Sequence, residues 1–466
     1  MAFKNHPIGI AFIAALIPAI ALAAPADDLR VVEAMARQDT AVVRALVQQN
    51  ADVNAAQADG ATALAWAAHW DDLEAAELLL RAGADVNAAN DYGVSPLSLA
   101  CVNGSAAMVD KLLRAGANAN AAQATGETPI MTCARTGNAD AVKFLIAHEA
   151  NVNAMETWKS QTALMWAAAD QHPDAVRLLL ARGADVHARS KSGFTPLLFA
   201  AQQGQIETAR ILIAAGADIN DAAPDGMTPL LIAAASGHGP LSVFLLDQNA
   251  HPNAANDRGY TALHYAAAGR NLLDLSKALL ARGADSNARL VKGETGATPF
   301  YLAAAAGHVP AMRVLWEAGA DPQIPTKESS TALMVASGVG RFESRSEAQD
   351  KNALEAVKLA LEAGNDVNAA GENEWTALHG AAYTGSDAII QMLVEHGAQL
   401  NVKDTFGQTP LSIAEAVVTK GLGENADVRP RRFRESTVNL LLQLGAIPTA
   451  QAGVEAVGSM AVRSTE

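Results

Sequence analysis

Apolar and small residues recur along this chain in a fixed order, and Gly193-Phe194-Thr195-Pro196-Leu197-Leu198-Phe199-Ala200-Ala201 is one copy of the phrase. Other copies start at Gly60, Gly93, Gly126, Ser160, Gly226, Gly259, Gly296, Ser329, Glu374 and Gly407, so successive starts lie 33, 33, 34, 33, 33, 33, 37, 33, 45 and 33 residues apart. Each copy predicts a short helix. Thr195 can cap it through its hydroxyl, and Pro196 suits the first helical position, where a missing N–H costs nothing. Leu197 and Phe199 supply apolar bulk, Ala200 and Ala201 let a neighbouring helix come close, and Gly204 ends the helix in a left-handed conformation. A second run, 206–214, predicts a helix with Ile206, Ala209, Ile211, Leu212 and Ile213 mostly inward. Gly216 closes it, and Ala217-Asp218-Ile219-Asn220 leads into a turn before the next phrase. A period in this range marks one supersecondary unit stacked on copies of itself.

Taken in order, residues 27–56 lack the phrase but keep helical spacing in Leu29, Val32, Met35, Val42, Val43, Leu46 and Val47, as expected of an N-terminal capping repeat. Eleven repeats follow over about 57–448. An extended turn at 289–295 precedes Gly296. The repeat starting at Ser329 carries a surplus at about 338–352, rich in Gly, Ser, Arg and Glu, which reads as a loop between its two helices. A second insertion, 421–435, holds Arg429, Arg431, Arg432 and Arg434 around Pro430 and Phe433. That cluster either holds an anionic partner or is a solvated loop paired with nearby carboxylates. The tail from about 449 to 466 reads as disordered.

Thr-Pro-Leu at the first helix, Gly-Ala-Asp after the second and the 33-residue period resemble the ankyrin repeat. The resemblance covers roughly 27–446. It implies an all-α solenoid of about twelve helix–turn–helix repeats, with hairpin-like fingers and a concave face. Departures are visible: Pro becomes Ala at Ala63, Ala163, Ala262, Ala332 and Ala377, and the family's His survives only at His264 and His379. Apolar packing is expected to stand in for the missing His–hydroxyl network. His238 and His308 follow the helix-ending Gly, where the resemblance implies local hydrogen bonding.

Composition refines this picture. Lys4 and the apolar run 8–22, followed by Ala21-Leu22-Ala23, read as a cleaved secretory signal over residues 1–23, too short for a comfortable membrane span. The expected destination is export, to periplasm or medium, without membrane insertion after cleavage. The formal charge of −15, or −16 once Lys4 is removed, argues against nucleic acid as a partner. Cys101 and Cys133 occupy small-residue positions of neighbouring phrases. Adjacent helices pack roughly 10 Å apart, whereas a disulfide needs Cα atoms within about 7 Å, so two buried thiols are expected.

The sequence holds no phosphate-cradling Gly loop, Cys-x-x-Cys, His-Glu-x-x-His or Gly-x-Ser-x-Gly. Neither catalytic residues, a metal site nor a cofactor is expected, and the chain reads as a non-enzymatic monomer that binds another protein. Trp66, Trp166, Phe199 and Tyr265 share the offset of a core Leu and read as packing. Phe194, Met227 and Tyr260, just after the turn in three consecutive repeats, with Trp375 at the same offset and Trp158 on a finger, are the candidate partner-binding residues. In the family that offset faces the concave side, where apolar side chains make a binding stripe or merely cover the finger base. A secreted effector, and an enzyme or ligand-binding subunit built on the inserted loops, are the alternatives.

Overall fold

The N-cap position explains where nearly every first helix begins. In a computed structural model describing residues 28–269, 272–291, 294–340, 346–419, 433–450 and 456–459, Thr62, Ser95, Thr162, Thr195, Thr228 and Thr331 accept the N–H three residues on. Helices start at Ala63, Ala163, Ala262, Ala332 and Ala377 as they do at Pro196. The hydroxyl cap, rather than proline, sets the boundary.

The chain forms two units, 1–123 and 124–466. In the first, helix pairs Arg30–Ala36/Thr40–Gln48, Ala63–His69/Leu73–Arg81 and Pro96–Val102/Ala106–Arg114 stack first helix on first helix and second on second. The second unit repeats the arrangement nine times among the described residues, from Pro129–Thr136/Ala139–Ala147 to Pro410–Ala414/Glu435–Gln443. One leucine-type residue per first helix and one per second fill each core: Leu64 with Leu79 in the first unit, Leu164 with Leu179 and Leu263 with Leu279 in the second, each at most 1% exposed. Full burial of such a side chain contributes roughly 1.5–3 kcal/mol.

Neighbouring repeats are joined by two polar ladders. An Asn in the segment after a second helix reaches into the next repeat. Asn54 donates to the Gly83 carbonyl at 3.1 Å and accepts from the Asp85 N–H at 2.7 Å. Asn253 does the same with Gly283 and Asp285 at 2.9 and 2.7 Å. The fingers add a backbone bond at several junctions within the units, such as Lys191 N–H to the Lys159 carbonyl at 2.7 Å and Asp257 N–H to the Asp225 carbonyl at 3.0 Å. Pro224 has no N–H to give. At that junction Arg189 instead pairs with Asp221 and donates to the Gly193 and Ala222 carbonyls. At Gly259, φ is +84° and an added Cβ would stand 2.9 Å from the Arg289 carbonyl, so this turn requires glycine on both counts. Ser160, Ser329 and Glu374 make the equivalent turn at φ of 54°, 57° and 56°.

Four expectations change. Cys101 and Cys133, both fully buried, are disulfide-bonded rather than thiols. The spacing argument took roughly 10 Å as the separation of adjacent helices, a general tendency for side chains of ordinary size rather than a property of these small-residue positions. The surplus at 338–352 is only partly loop, because a second helix runs Glu347–Glu362 with Ser346 and Gln349 forming a capping box. The tail supplies a strand, Ala456–Ser459, paired antiparallel with Val417–Thr419, so the 449–466 segment is not wholly irregular. The strand Val417–Thr419 follows the first helix of the last repeat. His308 Nδ1 meets the Ala267 carbonyl at 3.2 Å and His238 Nε2 the Gln202 carbonyl at 3.0 Å. These histidines therefore tie one repeat to the preceding one rather than bonding locally. Residues 1–23 lie outside the described residues.

Candidate functional site

In unit 2, the fingers and first helices present one shared face. First-helix positions six residues after each phrase start are Trp166, Phe199, Ile232, Tyr265, Leu302 and Val335 in six consecutive repeats. All but Ile232, which is 5% exposed, remain partly open to solvent. The row ends at fully buried Thr132 on one side and at Gly380 on the other. Trp166 and Phe199 read from sequence as packing, and Tyr265 likewise; each packs with only part of its ring. The reason is helix geometry: Leu197 and Leu198 point into the stack, and Phe199, 100° further round, emerges at its edge.

The candidate finger residues come down onto this row. Phe194 and Phe199 have ring centroids 5.4 Å apart. Tyr260 stacks on Tyr265 at 5.3 Å with 22° between planes. Between them Met227 accepts a weak contact from Asn256 Nδ2 at 3.5 Å. The three are half-buried, so they both cover the finger base and extend the apolar surface. Burial raises the pKa of both Tyr260 and Tyr265, with Glu294 adding to the effect on Tyr260 and the neighbouring Tyr260 to that on Tyr265. The phenols stay neutral, which suits an apolar surface. Three residues further along the same helices stand Ala169, Gln202, Ala235, Ala268 and Ala305, mostly small.

Trp158 stands apart at a finger tip, 73% exposed, with the Lys159 ammonium 4.9 Å from its ring. Its backbone is held rigidly. The buried Glu156 carboxylate accepts N–H groups of Trp158, Lys159 and Gln161 at 2.7, 2.8 and 2.9 Å. Burial alone would raise the Glu156 pKa, but those donors and the Lys159 charge hold it below the usual range. Trp375 is half-buried, donates Nε1–H to Asp404 at 2.9 Å and lies 5.9 Å from Tyr383, so it anchors its own repeat more than it offers a surface. Of the basic loop, Arg429, Arg431 and Arg432 lie outside the described residues. Arg434 donates Nε–H to the Tyr383 carbonyl at 3.0 Å and packs over Gly385, so its guanidinium serves the fold.

Unit 1 carries its own aromatic group, which sequence reasoning did not assemble. Trp66 and Trp70 stack at 5.9 Å, and His69 meets Trp70 edge-on at 4.5 Å, its pKa lowered by burial. Trp66 donates to Gln57 at 3.0 Å, while Trp70 and Tyr92 are 40% and 68% exposed. The i, i+4 spacing of Trp66 and Trp70 was the available signal.

Among the described residues, no group of three or more His, Cys, Asp or Glu could hold a metal ion, and no helix is long and apolar enough to cross a membrane. The arrangement offers extended apolar contact rather than converging reactive groups.

Family comparisons agree with this architecture. The family described as "Ankyrin repeats (3 copies)" matches residues 31–123, 97–190, 156–223, 197–290 and 346–428, and "Ankyrin repeat" matches 295–327. The chain belongs to the ankyrin repeat family, whose members generally mediate protein–protein interaction. Among curated proteins it is 33% identical over 142 residues to human (Homo sapiens) Ankyrin repeat and SOCS box protein 16, covering 30% of each chain. It is 31% identical over 136 residues to Ankyrin repeat and SOCS box protein 3 of Bos taurus, covering 28% of this chain and 23% of the relative. Protein phosphatase 1 regulatory subunit 12A of Mus musculus is 32% identical over 89 residues, or 19% and 8% of the two chains. The matched stretches thus span less than a third of each of these relatives.

Proposed function

We propose that this chain is an exported, non-enzymatic scaffold that binds a partner protein through the finger-side face of its second unit. The observation that carries the proposal is the row of partly open apolar side chains from Trp166 to Val335, widened by Phe194, Met227 and Tyr260. A monomeric surface seldom leaves so long an apolar row uncovered unless it is used. Aromatic residues held rigidly on stacked helices lose little entropy on binding, which favours affinity. The disulfide supports the exported part of the reading, since such bonds persist in oxidising compartments. Export is checked by the mass of the purified native chain, expected to begin at Ala24.

The test of the binding face is affinity capture from the native source. Wild type is compared with a Phe199→Ser/Tyr265→Ser variant matched for thermal stability. A protein retained by wild type and lost by the variant supports the proposal. Equal retention places the contact elsewhere.

A further inference from the structure

We infer that the occupant of the Trp166–Val335 row is an extended polypeptide segment with an apolar side chain at every third residue, acidic at one end and basic at the other. This rests on the finger-side face being the binding face. The argument begins with pitch. First helices stacked on alanine lie about 8–10 Å apart, so the row offers one apolar site at each such step. A polyproline II or strand-like chain advances about 3.1–3.4 Å per residue, so three residues span one step, and in polyproline II every third side chain falls on the same face. The five partly open sites, Trp166, Phe199, Tyr265, Leu302 and Val335, with buried Ile232 in the third position, then span a segment of roughly 16–18 residues. An α-helix rises about 1.5 Å per residue and would need more than 30 residues to reach the same sites.

Hydrogen bonding favours the same occupant. An extended chain carries a free N–H and C=O at every residue, whereas a helix satisfies its own. Beside the row the side chains of Gln202, Gln203 and Ser236 are exposed and bonded to nothing among the described residues. They can serve a backbone lying over Phe199 and Ile232.

Charge sets the direction. The fingers flanking Trp166 and Phe199 carry exposed Lys159 and Lys191, neither in an ion pair. The next two fingers carry exposed Asp225 and Asp257, the latter beside Arg258; the finger before Val335 carries Lys327 beside Glu328, and the following one carries exposed Glu372 and Glu374. The two ends of the row thus differ in sign, basic at Lys159 and Lys191 and acidic at Glu372 and Glu374, with mixed charge between. A segment laid on it is matched when its acidic end meets the lysines and its basic end the glutamates.

The test is selection from a random 18-residue peptide library displayed on phage, using the full chain as bait. Enriched sequences are expected to show apolar residues every third position, with acidic and basic residues at opposite ends. Their synthetic forms should bind at least tenfold more weakly to Phe199→Ser/Tyr265→Ser, and Lys159→Glu/Lys191→Glu should remove the preference for an acidic end. Enriched peptides with three–four spacing and helical circular dichroism, still lost on the serine variant, would overturn the extended register while leaving the face intact. Peptides indifferent to the serine variant would overturn both. A library yielding no periodic family would overturn the register as well.

Discussion

Tyr260, on a finger, and Tyr265, on the helix that follows it, stack with ring centroids 5.3 Å apart and planes 22° apart. Their sequence offsets assign them opposite roles, one facing a partner and the other packing the core. In the folded chain they form one surface, as Phe194 and Phe199 do two repeats earlier in the stack. Each pair covers the finger base while leaving part of its rings open to solvent, because every one of these rings is only partly buried.

The disulfide carries a measurable share of stability. Bridging Cys101 and Cys133 closes a loop of intermediate length, and removing such a bond costs about 3 kcal/mol. A Cys101→Ala/Cys133→Ala variant should unfold at correspondingly lower denaturant, and wild type should match it in the presence of reductant. Because both cysteines are disulfide-bonded, alkylation without reductant is expected to add no mass, even after denaturation.

Acid should act through His264. Its ring is buried, and burial lowers its pKa to about 4, with Nδ1 held 2.8 Å from the Thr261 hydroxyl. The unfolded chain takes up the proton near the ordinary value of 6.5, the folded one only near 4. Stability is thus complete above pH 6.5 and falls as pH drops toward 4, by about 3 kcal/mol from this one group. His379 shifts in the same direction, again through burial. Neighbouring repeats hold Leu198 and Leu231 at the His264 position, so His264→Leu should fold and flatten part of the acid slope. Denaturant midpoints at pH 7 and 4.5 for both proteins check this.

Glu374 sits at φ +56° in a turn where most repeats use glycine. A left-handed conformation costs a side chain about 1–2 kcal/mol, part of which glycine returns as unfolded-state entropy. Glu374→Gly is expected to raise stability by about 0.5–1 kcal/mol in urea titration, with Ser329→Gly behaving alike.

How much of this was readable beforehand depends on what each residue encodes. Thr195-Pro196 and Gly204 encode local conformation, so helix ends follow from them directly. Ser346 and Gln349 also announced a helix start, with Ala353, Ala356, Val357 and Ala360 in helical spacing after it, but the glycines and charges around them read as loop. Exposure is harder. Phe199 has the same composition whether its ring is sealed or open, and only the neighbours at Phe194 and Gln202 decide. That Cys101 and Cys133 are disulfide-bonded is announced by no residue pattern, since both occupy positions normally filled by Ala. Arg434 belonged to a conspicuous basic run, yet its partner is the Tyr383 carbonyl, 51 residues away in sequence.

The most direct measurement places a photo-crosslinking amino acid at position 265, and separately at Arg177 on a second helix, in chain expressed in its native source. Arg177 is engaged with Asp174 and Glu207 on the outer-helix surface. Irradiation is expected to yield a discrete covalent adduct from position 265 and none from 177. Adducts from 177 alone, or the same adduct from both, would contradict binding through the finger-side face.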